Sequence, residues 1–335
     1  MIRAAIIGLG RWGKALVTSV QGQSDDIRFV VAQTRTRAAA EEFCHQQNIP
    51  LVDKYAQVLA DSNVDAVVLA TPHTQHEEQI KQAAAAGKHV FVEKPITLSR
   101  ASADAAVEAT QRAGVMLAVG FCRRFHPSLE DVRRHLRDGR LGTLVSMVGQ
   151  QTSGTSAFFP ADGWRVDPHE SPAGAMTAVG VHLLDHMIEL AGRVRQVQCI
   201  TASRRGGPEQ DTTSAMLNFE SGVTGMIFCS TATTAHFNFA VYGTKGLAEI
   251  SRTNLQTFRF IPAPDGPPEG HVTAPPAAVV EHPGFGMLNA ELVEFARCIH
   301  DKRDFPVKID EVLHGVSVFD ALVQSAQSSQ IVKVV

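Results

Sequence analysis

The stretch "RAAIIGLGRWGKALVTSV", residues 3–20, decides the reading of this chain. A strand-like apolar run ends in Gly8-x-Gly10-x-x-Gly13, and a helical pattern follows directly. The glycines carry meaning because of that setting between strand and helix. Gly8 permits a tight turn, Gly10 lets a pyrophosphate approach the backbone, and Gly13 lets helix and strand pack closely. The helix start offers free N–H groups and partial positive charge to phosphates. Arg11 and Trp12 lie inside this loop and count with Gly8, Gly10 and Gly13 as cofactor contacts.

Beyond the loop, apolar runs alternate with amphipathic ones. "IRFVVAQ" (27–33), "VDAVVLATP" (64–72), "KHVFVEKP" (88–95) and "VMLAVGF" (115–121) read as strands. "TRAAAEEFCHQQ" (36–47), "TQHEEQIKQAAAAG" (74–87) and "LSRASADAAVEATQRAG" (98–114) read as helices. Such alternation predicts an α/β domain over 1–121, a Rossmann-type doubly wound parallel sheet with helices on both faces. Ligands bind beyond the carboxyl ends of its strands. Gly8–Gly13, Thr71-Pro72 and Glu93-Lys94-Pro95 all fall at such ends and converge on one rim.

Cofactor choice is read at the end of the second strand. An acid roughly 20 residues past the glycine loop would accept the ribose 2′-hydroxyl of NAD. Here the sequence is "QTRTR", with Thr34 and Arg35 in that place. An arginine can bind a 2′-phosphate that a carboxylate would repel. NADP(H) is therefore the expected cofactor and NAD(H) the alternative; both arginines acting as solvated helix-start charges is the bland reading.

"HVFVEKPITLS" (89–99) places a lysine where a strand leaves the sheet. Proline holds the preceding residue extended and so fixes the direction in which Lys94 departs; the Lys-Pro bond can also be cis at modest cost. A lysine there can hydrogen-bond a substrate hydroxyl and help remove its proton. A surface lysine paired with Glu93 is the other reading.

Composition narrows the class. The 335 residues are 44% apolar and 19% charged, with a formal net charge of −3, which suits two globular domains. No basic block supports nucleic-acid binding. No apolar run reaches the ~18–20 residues of a membrane helix. The start lacks a signal-peptide pattern. Five scattered cysteines without C-x-x-C predict reduced thiols and a cytoplasmic chain.

The motifs "GLGRWG", "ATPHTQH", "AAAAGKHVFVEKP", "VGFCRRFHPSL", "GWRVDP" and "GVHLLD", with the C-terminal stretch from "AELVEFARC", resemble the Gfo/Idh/MocA oxidoreductases, the glucose–fructose oxidoreductase and inositol dehydrogenase relatives. The resemblance spans nearly the whole chain. It implies a C-terminal α+β domain over 122–335 with a large open antiparallel sheet, and a homodimer or homotetramer formed through that sheet. It implies hydride transfer between nicotinamide and a small polyol, sugar or related cyclic alcohol. It makes Lys94 the catalytic lysine and sets His76 and Glu93 around the nicotinamide ribose. Trp164 and Arg165 match the family's "WR" beside nicotinamide and substrate. Arg123 joins the cofactor contacts, or is half of a solvated hinge pair with Arg124.

After residue 122 the pattern changes to one helix (126–142) and then short β-like runs, with Ser221-Gly222 as a hairpin and 262–283 as a long loop. "GAMTAVGVHLLDHMIELAG" (174–192) reads as one helix. The family's pattern there is roughly G-x-x-x-D-x-G-x-H-x-x-D, its His the proton acceptor. Gly174, Gly180, His182 and Asp185 match, whereas Ala178 stands in place of the acid. Residues four apart share a helix face, so His182 lacks that partner on its own helix. Asp167, His169 and Glu170 are candidate substitutes. His182 and His186 have zinc-helix spacing without a glutamate or third ligand, so no metal is expected. The departure at Ala178 leaves two alternatives beside the dehydrogenase. One is a glycosidase or lyase using transient oxidation by NAD. The other is a nucleotide-binding sensor without chemistry.

Overall fold

The opening apolar run is β1 (Ile2–Ile7), followed by α1 (Arg11–Val20). The computed structural model describes residues 1–158, 160, 163–205, 210–264, 266 and 275–335. The chain continues through β2 (Ile27–Gln33), α2 (Glu41–Gln46), β3 (Leu51–Val52) and α3 (Tyr55–Ala60). Then come β4 (Ala66–Leu69), α4 (His76–Ala85), β5 (His89–Glu93), α5 (Arg100–Ala113) and β6 (Leu117–Gly120). Among the described residues these strands form a six-stranded sheet in the order β3-β2-β1-β4-β5-β6, all parallel. The order reverses between β1 and β4, which is where such sheets bind ligands.

The sheet is parallel because its strands can be buried on both faces. Every residue of β4 and β6 is buried, as are four of the five in β5. Each fully buried Val, Ile or Phe contributes about 1.5–3 kcal/mol by leaving water. Helix ends are locally encoded. At α5, Ser99 Oγ accepts from the Ser102 N–H, and Gly114 closes the helix in the left-handed region. The short β3 and α3 fall outside the pattern read from the sequence; two residues cannot display a period.

The second series begins with α6 (Pro127–Arg137), β7 (Leu144–Thr152) and α7 (Val181–Ala191). β8 (Val194–Ala202), β9 (Thr212–Phe219), β10 (Thr224–Ser230), β11 (His236–Gly243), β12 (Gly246–Ser251), β13 (Thr257–Pro262) and β14 (Ala278–Glu281) follow. α8 (Met287–Asp301), α9 (Ile309–Ser328) and β15 (Val332–Lys333) complete the chain. Among the described residues the second sheet has nine strands, β14-β13-β12-β11-β7-β10-β9-β8-β15. It is antiparallel except where β7 and β10 run parallel. β9 and β10 alternate exposed and buried residues, so one face is covered and one is open. Ser221-Gly222 does turn the β9–β10 hairpin, with Gly222 at φ 87°. β14 lies inside the stretch 262–283 read as a loop. All four of its residues are exposed, so no alternation marks it. Residues 265 and 267–274 of that stretch lie outside the described residues.

The chain divides into two compact units. The first is Met1–Cys122 with Gly286–Val316; the second is Arg123–Phe285 with Ser317–Val335. A single cut at 121/122 therefore differs from the contacts, because α8 packs on α1 and β2 of the first unit. Among the described residues no helix is long and apolar enough to cross a membrane.

Candidate active site

In the first unit the strand ends build the rim that the sequence predicts. Gly8 has φ +92°, and a Cβ there would stand 2.7 Å from the Ala70 carbonyl oxygen. A Cβ on Gly13 would run into the Gly8 carbonyl. The turn thus exists only with glycine at both places. A Cβ on Gly10 would meet nothing within 4 Å, so this side of the loop is open. Gly10 caps α1 without a side-chain bond, which leaves the first N–H groups available to an anion. Arg11 is exposed and Trp12 half-buried.

At the end of β2, the Leu9 N–H donates to Thr34 Oγ1 at 3.3 Å, tying this strand end to the glycine loop. Arg37 is committed elsewhere, at 2.9 Å to Glu41 and 2.6 Å to Asp53. Arg35 is exposed and makes no ion pair among the described residues.

The next two strand ends are stapled by His76. Its ring is fully buried. Nε2 lies 3.1 Å from the Thr71 carbonyl, and Nδ1 lies 3.1 Å from the carbonyls of both Pro95 and Ile96. The ring joins the turn after β4 to the turn after β5. Thr71 Oγ1 donates to Gln79 Oε1 at 2.6 Å, and Pro72 is half-buried beside it.

Lys94 is half-buried at the carboxyl end of β5, and its bond to Pro95 is cis. The neighbouring Glu93 is 7% exposed. Burial pushes its pKa up to about 7; the Lys94 charge opposes that rise. The Trp12 indole N–H is buried near this carboxylate but outside hydrogen-bond geometry. A second acid, Glu291 of α8, shares the burial. The sequence did carry a signal for it: Glu291 stands with Leu292, Phe295 and Ala296 on the buried stripe of α8, where a carboxylate is out of place.

In the second unit a π turn at Met176–Gly180 leads straight into α7. The helix read over 174–192 is therefore regular only from Val181. Extra residues in a turn of this kind often mark functional sites. His182 lies in the first turn of α7, 6% exposed, and Ala178 is half-buried within the π turn. Asp185, three residues beyond His182, is bonded to an arginine. It accepts from Arg124 Nε at 2.8 Å and from Nη2 at 2.7 Å, with both side chains buried. Arg124 is therefore an anchor of α7, while Arg123 stacks on Phe237 at 4.8 Å from the ring centroid. His186 is fully buried, 5.7 Å from Phe239. Burial, then the charges of Arg123, Arg124 and Arg133, hold it neutral well below its usual range. Trp164 and Arg165 open a short turn, with the guanidinium 4.2 Å from the indole centroid. Of the candidate substitutes for the missing acid, Asp167 and His169 are exposed and joined by a local bond of 2.9 Å, whereas Glu170 is buried.

Comparison with known proteins agrees with this geometry. Residues 2–121 match a family model described as "Oxidoreductase family, NAD-binding Rossmann fold", and residues 129–249 match the "GFO/IDH/MocA C-terminal domain". Inositol 2-dehydrogenase of Rhizobium meliloti is 30% identical over 258 residues, 73% of this chain and 74% of that protein. Scyllo-inositol 2-dehydrogenase (NAD(+)) of Bacillus subtilis is 40% identical over 154 residues, a segment that spans only 44% of either chain. A solved levoglucosan dehydrogenase, in complex with NADH and L-sorbose, shares the fold with a TM-score of 0.88 at 20% identity, over 100% of this chain and 99% of that one. With both halves of its fold and a relative across most of its length in agreement, the chain belongs to the GFO/IDH/MocA oxidoreductase family.

Proposed function

We propose that this protein is an NADP-preferring dehydrogenase or reductase acting on a polyol, sugar or related cyclic alcohol, with NAD(H) as the weaker cofactor. One observation carries the reading. Lys94 leaves the carboxyl end of β5 on the same sheet rim as the Gly8–Gly13 turn and the Thr71 turn. The polyol class is supported by inositol dehydrogenases among its relatives.

The residues fit a dinucleotide. The open side of Gly10 and the uncapped start of α1 suit a pyrophosphate. Thr34 and Arg35 suit a ribose bearing a 2′-phosphate, with Arg35 unpaired among the described residues. Arg11, Trp12, Thr71, Pro72, His76 and Glu93 complete the first unit's share of the binding residues; Arg123, Trp164 and Arg165 are the second unit's. Bound NADP supplies the group that accepts or gives the hydride. Lys94 binds and orients the substrate hydroxyl. His182 is the proton acceptor and Arg165 a substrate contact. With alanine at 178, His182 works without the acid that the family pattern places four residues before it.

Two further readings accompany this one. The five cysteines are free and buried, which suits a cytoplasmic chain. The open face of the second sheet suits assembly into a homodimer or homotetramer. The experiment that tests the central reading is Lys94→Ala. It should abolish turnover of a polyol panel and leave NADPH binding, followed by fluorescence titration, nearly intact. Wild-type kcat in that variant would remove Lys94 from the chemistry. Counting NADPH formed against product separates a dehydrogenase from an enzyme that returns its cofactor unchanged.

A further inference from the structure

The first unit buries a carboxylate that the proposed chemistry leaves unused. Side chains 91 and 93 lie on one face of β5, about 6.8 Å apart along the strand. Side chains 291 and 295 lie on one face of α8, about 6 Å apart along the helix. The spacings match and the faces meet. Phe91 packs edge-on against Phe295, with centroids 5.6 Å apart, and Glu93 lies within charge repulsion of Glu291. Both elements belong to the first unit. Glu291 is fully buried. Neither of its carboxylate oxygens, nor Glu93 Oε1, has a hydrogen-bond partner among the described residues. Gly120 makes the room: a Cβ there would stand 3.0 Å from Glu93 Oε1 and 3.1 Å from the Phe91 ring. The charged groups acting on this pocket are Glu93, Glu291 and Lys94, with the Trp12 N–H and the Lys94 backbone N–H as polar neighbours.

Two carboxylates so deeply buried and so near one another cannot both stay ionised. We propose that Glu93 and Glu291 hold one proton between them, and that this carboxyl–carboxylate pair is the fixed counter-charge of Lys94. Glu291 is thereby a positioning residue for the lysine; the inference rests on Lys94 being the residue that meets the substrate hydroxyl. A protonated Glu291 turns one of its unpartnered oxygens into a donor toward the Glu93 carboxylate, so one negative charge faces one ammonium. Burial and then repulsion by Glu93 raise Glu291 well above the ordinary carboxylate range, with Lys94 opposing.

The test has a direct arm and a kinetic arm. Infrared difference spectra at about pH 8, far above the ordinary glutamate pKa, should show a carboxylic-acid carbonyl in the wild type. Glu291→Gln should lack it. In kinetics, Glu291→Gln keeps a neutral hydrogen-bond donor for Glu93 and should retain the wild-type pH profile of kcat. Glu291→Leu removes the donor, which raises Glu93 further and leaves Lys94 with less counter-charge. The limb of the profile that follows Lys94 should then move about 1–3 pH units lower. Glu291 is the neutral member of the pair, so a leucine of similar size removes no charge there, and Glu291→Leu should fold with a circular dichroism that matches the wild type. Absence of the acid carbonyl in the wild type, or an unshifted profile in Glu291→Leu, would overturn the proposal. An active Lys94→Ala would remove the lysine reading instead, leaving the infrared signal and its loss in Glu291→Gln in place.

Discussion

At the scale of single residues, cofactor preference rests on which arginine is free to bind. Arg37 is held between Glu41 and Asp53, so removing it should disturb the edge of the sheet more than the cofactor. Arg35 has no such engagement among the described residues. Arg35→Ala should therefore weaken NADP selectively. A lost charge-assisted contact is worth about 1.5–3 kcal/mol, roughly ten- to a hundredfold in the KM for NADP, while the KM for NAD should barely move. Equal changes for the two cofactors would place the 2′-phosphate elsewhere. The pair Thr34-Arg35 was legible in the sequence because the glycine loop fixes where to count from. Glu291 was not singled out, because its meaning depends on Phe91 meeting Phe295 across two elements nearly 200 positions apart. His76 is an intermediate case: its place near the rim was legible, but its full burial between the Thr71, Pro95 and Ile96 carbonyls was not.

At the scale of elements, α7 depends on an ion pair rather than on its own sequence. Arg124 and Asp185 are joined by two bonds in a buried setting, and Glu189 accepts from Arg133 at 2.9 Å one turn further on. Removing Asp185 takes two short bonds from the buried Arg124 and leaves a longer contact to Glu189, at 3.7 Å. Asp185→Ala should destabilise the protein by about 3–5 kcal/mol, read as a lowered melting temperature. The double replacement Arg124→Met with Asp185→Leu should recover most of that loss, since no buried charge remains. A single variant as stable as the wild type would mean that Arg124 finds water or another acid. The π turn ahead of α7 shows where periodicity fails as a guide. Hydrophobic spacing over 174–192 fits an ordinary helix. What shifts the register is close packing at Gly180, where a Cβ would meet the Met176 sulfur and would stand 2.9 Å from Cys229 Sγ on β10. That neighbour comes from a strand far along the chain. β14 went unread for the opposite reason: its pairing with β13 is real, but with every residue exposed it has no burial pattern to display.

At the scale of the whole molecule, the informative surface is the open face of the second sheet. β9 and β10 alternate exposed and buried residues, and register shows what the uncovered side presents. Met216 on β9 lies opposite Met226 on β10, and Phe228 lies opposite Ser214, which in turn faces Ile200 on β8. Ile200 is 67% exposed and Met216 58%. These side chains form a contiguous apolar patch in mid-sheet, too central to be an accident of strand ends. Patches of this kind mark interaction sites. Nine strands about 4.8 Å apart give a face wide enough for the roughly 800 Å² per partner of a stable interface. Assembly through this face leads to a concrete expectation. Met226→Glu puts a charge in the middle of the patch, where desolvating it on association has no compensation. Light scattering should show the wild type as a dimer or tetramer and the variant as a monomer. The substituted side chain points away from the buried core of its own unit, so the variant should fold, and the first unit should still bind NADPH. An unchanged mass would move the interface off this sheet. A lower mass with NADPH binding retained would show that apolar exposure here serves assembly and not the cofactor.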